Sequence, residues 1–198
     1  MKIRKAIATD SLLLSSLCVD VQRLHAENHP EIFKLPQSDD FATSFFDEIL
    51  ADSTTRIYIA EEEQRAIGNI FCKLFERPEG PFTYANRFLQ IEHISVHPEA
   101  QRHGVGTALI EQAEKLAKEL GVTKIQLNSW DFNTNAHTFF EMHGFAKIEH
   151  RFWRYFVENN KSHIWDLFVG EIGLEPTTSA MSKQCSNQLS YPPEGLTL

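Results

Sequence analysis

The chain has 198 residues, 42% of them hydrophobic and 11% aromatic, close to the size of one ordinary domain and apolar enough to build its core. Its formal net charge of −8 speaks against a protein that tracks a nucleic-acid backbone, because displacing counterions from phosphates needs a basic face. Cys18, Cys72 and Cys185 are odd in number and far apart, which fits neither a disulfide framework nor a zinc motif and points to a reducing compartment.

Residues 2–8 alternate as an edge strand, and Thr9-Asp10 offers an N-cap for a helix with Leu14, Leu17, Cys18, Val21 and Leu24 on its apolar face. The basic start, Met1 to Lys5, is followed by too short an apolar run for a signal peptide, and no stretch approaches a membrane span. A cytoplasmic protein without a membrane partner is therefore expected. The first helix should stop near Pro30, and residues 29–36 read as a loop. A second helix is predicted from about Ser38, capped by Ser38 or Asp39, with Phe41, Phe45 and Ile49 turned inward.

Two β-rich runs follow, 56–61 and 66–75, and Glu62-Glu63-Gln64-Arg65 between them suits a hairpin. A third run, 88–96, ends at His97-Pro98, where proline removes a ladder donor. The clearest helix begins near Val105 and repeats apolar residues at Ala108, Leu109, Ala113, Leu116, Ala117 and Leu120, with Gly121 placed to end it. Glu111 with Lys115 and Glu114 with Lys118 pair four apart on its outer face. A strand over 124–130, a helix over 135–143 and one or two aromatic closing strands over 145–156 complete the folded part. From Gly170 onward no apolar period remains, so 169–198 reads as a disordered tail; it also resembles terminal runs of reading frames that stray into stable-RNA genes.

The segment with the clearest chemistry is Gln101-Arg102-His103-Gly104-Val105-Gly106-Thr107, between the end of a strand and the start of the strongest helix. The first turn of a helix leaves N–H groups unpaired, its dipole favours negative charge, and glycine lets a phosphate approach the backbone. Arg102 and His103 add charge or hydrogen bonds. A P-loop would need a Lys-Ser/Thr pair after its second glycine, where this chain has Thr107-Ala108, and a dinucleotide fingerprint would need glycine at Leu109.

Gln101-x-x-Gly104-x-Gly106 resembles the hallmark of the GNAT superfamily of N-acetyltransferases. The preceding Ile91 to Pro98 resembles the family's fourth strand, and Asn133-x-x-Ala136-x-x-Phe139-Phe140-x-x-x-Gly144-Phe145 resembles its second conserved block. The resemblance covers about residues 2–156. It implies an α/β (α+β) fold with a mixed six- to seven-stranded sheet, about four helices and a splay between strands 4 and 5, in a domain of residues 1–168. It also implies acetyl-CoA as donor, with the amides of Arg102, His103, Gly104, Val105, Gly106 and Thr107 on the pyrophosphate beside Gln101. Ile94 and Val96 would pair with the pantetheine arm, Asn133 would face the cofactor, and an N–H near Ile94 would stabilise the oxyanion.

Direct transfer requires a neutral amine, yet a free alkylamine has a pKa of about 10.4, so a group near the site must take a proton. Glu92 occupies the strand position where many family members carry a water-linked carboxylate base, with His93 and His97 as alternatives. The family's usual tyrosine acid is replaced by Phe140, which cannot donate a proton. A thiol of pKa about 8.5 leaves acceptably as thiolate, and water, Ser129 or His137 could protonate it. No four ligands converge at a metal spacing, so no metal is expected. Cys18 and the phenylalanine-rich stretches read as core.

The expected function is transfer of an acetyl group to a primary amine of a small molecule or peptide, the alternative being an acyl-CoA sensor with weak catalysis. His25, Glu27, His29 and residues 151–155 are the acceptor-side candidates, and the aromatic closing strands would suit a homodimer contact.

Overall fold

A computed structural model describes residues 1–154. Met1–Lys147 is one compact unit. Five strands, β1 (Lys2–Lys5), β2 (Thr55–Glu62), β3 (Arg65–Arg77), β4 (Asn86–Val96) and β5 (Ile125–Leu127), form a sheet in the order β1-β2-β3-β4-β5. Neighbours are antiparallel except β4 and β5, which run parallel, so the sheet is mixed.

Among the described residues four α-helices flank it: α1 (Ser11–Asn28), α2 (Thr43–Ala51), α3 (Val105–Glu119) and α4 (Thr134–Met142). Strand alternation sends Ile57, Ile59 and Phe71 to one face with Leu14, Cys18 and Phe46 of α1 and α2. Ala60, Ile70, Cys72, Leu89 and Ile91 pack on the other face with Val105, Leu109, Ala113 and Phe140 of α3 and α4. The result is a sheet sandwiched between two helical layers.

α3 forms where the period predicts it, and Gly121, at φ +66°, follows its last turn in the left-handed conformation that terminates helices. α2 does not. It begins at Thr43, several residues later than expected, so the buried ring is Phe46, 3% exposed, while Phe45 is 54% exposed and Phe41 also faces outward. The segment ahead of it spends its polar groups on turns, with Ser38 bonding Asp40 and the Ser15 hydroxyl accepting the Ala42 N–H. Asp10 precedes α1 without capping it. Its carboxylate accepts instead from the Ile7 N–H at 2.8 Å and from Arg4 of β1 at 2.7 and 3.0 Å.

The sheet is narrower than expected: five strands among the described residues, not six to seven. Residues 145–154 form no strand, and 155–156 of the expected closing strands, like the 169–198 tail, lie outside the described residues. Residues 148–154 are irregular and exposed. No helix among the described residues is long and apolar enough to cross a membrane.

Candidate active site

Three pieces of backbone meet where β4 hands over to α3. β4 ends at Val96, a short 3-10 turn spans Pro98–Ala100, and the Gln101 side-chain amide reaches back to the Val96 carbonyl at 3.2 Å. Arg102 at φ 63° and Gly104 at φ 80° then turn the chain sharply into α3. For Arg102 this is a strained conformation, of a kind that clusters at ligand-holding sites. The first intrahelical bond runs from the Ala108 N–H to the Gly104 carbonyl at 3.0 Å, so the N–H groups of Val105, Gly106 and Thr107 precede it. A Cβ on Gly104 would meet nothing within 4 Å, and Gln101, Arg102 and His103 are exposed, so this turn is open to an anion.

The two glycines do different work. Gly104 supplies the turn. Gly106 lies under a ring: a Cβ there would stand 3.0 Å from Phe139 Cζ, so its absence lets α4 close on the first turn of α3. Val105 is 2% exposed and belongs to the core, so its side chain faces away from any ligand. The Thr107 hydroxyl meets His143 Nε2 at 3.0 Å. Asn133 caps α4, its side-chain oxygen accepting from the Ala136 N–H at 3.2 Å. That structural task of Asn133, and the whole of His143, were invisible in the linear pattern.

β4 and β5 pair only at Leu89–Ile125, Gln90–Gln126 and Ile91–Leu127. β5 ends at Leu127, so beyond Ile91 the pairing stops and the β5-facing edge of residues 92–96 has no ladder partner among the described residues. The opening falls where the splay between strands 4 and 5 is expected. At the same point Phe71 pairs with His93 and Cys72 with Ile91, so Glu92 is the extra residue of a β-bulge. The bulge switches the strand's alternation. Leu89 and Ile91 face α3 before it; Ile94 and Val96 do so after it, and His93 and Ser95 turn to α1. Glu92 itself is exposed at the mouth of the splay.

His93 is half-buried, and its Nε2 lies 3.2 Å from Cys18 Sγ. Burial, with His25 nearby, pushes the His93 imidazole down to about 4, and burial pushes the Cys18 thiol up to about 12. At neutral pH a protonated thiol therefore faces a neutral ring, and a ring whose pKa lies that low is a weak base, which weakens the candidacy of His93. His97 accepts the Glu99 N–H through Nδ1 and faces Arg65 at 3.3 Å, on the hairpin side of the turn into α3. Phe140 is 8% exposed, between Phe139 and Phe145, and offers no proton.

On the α1 side, His25 and His29 join rings absent from the sequence-based candidates. His25 packs against Phe33 at 4.9 Å and Phe132 at 5.5 Å, and His29 against Trp130 at 4.9 Å. These rings tie the end of α1 to the β5–α4 loop beside His93. Glu27 is exposed. Residues 151–154 fall in the second unit, and Tyr155 lies outside the described residues.

The pattern of the Acetyltransferase (GNAT) family matches residues 19–145, well over half of the chain. The chain belongs to the GNAT acetyltransferase family. The match runs from within α1 to just beyond α4 and so takes in the turn into α3, the unpaired edge of β4 and the bulge. Human N-acetyltransferase 8B is 22% identical over 120 residues, 61% of this chain and 47% of that protein. The chain thus spans about half the length of the human relatives it matches. Among solved structures, a tetramutant of the BH1408 protein of Bacillus halodurans superposes with a TM-score of 0.74 at 20% identity, covering 79% of this chain and all of that one. Aminoglycoside N-acetyltransferase AAC(6')-Iy in complex with CoA superposes with a TM-score of 0.60 at 19% identity, over 78% of this chain and 93% of that one. At these identities the structural likeness speaks for the GNAT fold alone.

Proposed function

We propose that this GNAT protein is an acetyl-CoA-dependent N-acetyltransferase that moves the acetyl group directly to a primary amine of a small molecule or peptide. The observation that carries it is the end of β4–β5 pairing at Ile91, which frees the edge of β4 beyond it, with the bulged carboxylate of Glu92 at that point and the open N–H turn of α3 at the end of the same strand.

The donor brings an activated acyl group; the chain's part is to bind, orient and move protons. The N–H groups of Arg102 to Thr107 hold the pyrophosphate, and the unpaired edge at Ile94 and Val96 accepts the extended arm as a neighbouring strand would. The Val96 carbonyl is already bonded to Gln101, so its share of that pairing falls to the N–H or to a shared acceptor. An N–H near Ile94 stabilises charge on the carbonyl oxygen. Glu92, through water, takes the proton of the incoming ammonium. Phe140 leaves the departing sulfur without a side-chain acid at that position, and it leaves as thiolate or is protonated by water.

The first experiment is acetyl-CoA turnover, followed as thiol release against a panel of primary amines, with CoA binding followed by thermal shift. Release stimulated by one amine class supports the enzyme and names its acceptor. A thermal shift with no turnover on any amine assigns the chain to an acyl-CoA-binding module, and no shift at all sinks the cofactor site. Glu92→Gln should lower the rate at neutral pH by roughly 10² or more, the usual worth of a positioned base; an unchanged rate removes Glu92 from the mechanism.

A further inference from the structure

We infer that His143 is a positioning residue for the phosphate turn, acting through the hydroxyl of Thr107. His143 follows the last residue of α4, and its Nδ1 lies 2.8 Å from the Phe139 carbonyl oxygen. A carbonyl can only accept, so Nδ1 carries the proton. In the neutral ring Nε2 is then an acceptor, and the Thr107 hydroxyl, 3.0 Å away, donates to it. Two hydrogen bonds in series thus join the end of α4 to the third residue of α3.

The contact has a second component. The Phe139 ring leans on the His143 ring at 4.3 Å between centroids, and its far edge covers Gly106, where a Cβ would approach Cζ to 3.0 Å and Cε2 to 3.2 Å. Gly106, Thr107, Phe139 and His143 therefore form one clasp between the two helices. It spans the residues whose N–H groups the phosphates would use.

The clasp matters because a threonine in the first turn of a helix has another choice. Its hydroxyl can turn back to a carbonyl three or four residues earlier, which competes with the helix's own bonds and bends it. Here that carbonyl would be near Gly104, the acceptor of the first intrahelical bond. His143 holds the hydroxyl outward and keeps the Thr107 N–H, with those of Val105 and Gly106, aimed before a ligand arrives. An anion site made of backbone dipoles depends on that pre-orientation. With its proton committed to His143, Thr107 serves the phosphates through its N–H.

The proposal rests on the cofactor site proposed above, and the test separates the two. CoA is titrated calorimetrically against wild type, Thr107→Val, Thr107→Ser, His143→Ala and the Thr107→Val/His143→Ala double variant, with melting curves as a check on folding. Thr107→Val keeps the shape of the side chain and removes the donor; it should weaken CoA by about tenfold, the worth of one well-placed hydrogen bond. KM for acetyl-CoA should rise by a similar factor while kcat moves much less. Thr107→Ser should recover most of the lost affinity, and the double variant should bind no worse than Thr107→Val, since both changes delete the same bond. Thr107→Val binding as wild type, or independent addition of the two losses, overturns the role of His143 alone. Failure of wild type itself to bind CoA overturns this role and the cofactor site together.

Discussion

Gly68 lies on β3 opposite Val96, and replacing it with alanine tests whether the handover from β4 to α3 is as tightly seated as its contacts imply. A Cβ at this position would stand 2.7 Å from the Ser95 carbonyl oxygen, 3.3 Å from Val105 Cγ1 and 3.4 Å from Leu109 Cδ1. The first distance is shorter than any real contact, and the atom it meets is backbone. β4 cannot simply retreat, because the Ser95 hydroxyl bonds the Leu17 carbonyl of α1 at 3.0 Å and Asn69 at 2.5 Å. The second distance presses on the residue that opens α3. Overpacking of this kind costs about 1–3 kcal/mol, which for a chain of this length lowers Tm by roughly 2–12 °C. The strain should be shared by the turn into α3, so, with the phosphates held there as proposed, CoA affinity should fall in the same variant. A thermal melt and a CoA titration read both. Gly68→Ala melting with wild type and binding CoA equally would refute the seating, and a lower Tm with unchanged CoA binding would show that strand and turn are mechanically independent.

Asp10→Asn should destabilise the protein by about 1–3 kcal/mol at pH 7, between the worth of a buried and an exposed pair, since Arg4 keeps its bond to Glu61 at 2.6 Å. Hydrogen bonding from Arg4 holds the Asp10 carboxyl below its ordinary value, so its contribution is full above the unfolded value of about 3.9 and is lost as pH falls through the folded one. The gap in Tm between wild type and Asp10→Asn should therefore close in acid below about pH 4; a gap that persists there assigns the cost to packing. Glu63 and Gln64 hold φ of 49° and 67° at the tip of the β2–β3 hairpin, where non-glycine residues are strained. Glu63→Asn with Gln64→Gly should raise stability by roughly 1 kcal/mol, measured by denaturant melts with unchanged m-value, and no gain would mean the turn is relaxed as it stands.

Much of the frame is local and could be taken from the chain directly. The amphipathic period of α3, the glycine after it, the strand stop at His97-Pro98 and the pair of glycines at 104 and 106 all depend on neighbours within one or two turns, which is why they survive folding unchanged. The order of elements follows from the same short-range signals.

What needed the tertiary structure is everything decided by a partner far along the chain. Whether Phe45 or Phe46 enters the core depends on where α2 begins, and the turns around Ser38 and the bond from Ser15 set that point. Whether His93 faces α1 or α3 depends on the bulge at Glu92, a mismatch between β4 and β3 that neither strand contains alone. The number of strands depends on which segments find a partner. The second task of Gly106, making room for Phe139, and the hydrogen bond from Thr107 to His143 join positions more than thirty residues apart. A periodic pattern fixes which face of an element is apolar, but only the packed neighbour decides which side chain on that face meets which group, and the candidate site is made of such meetings.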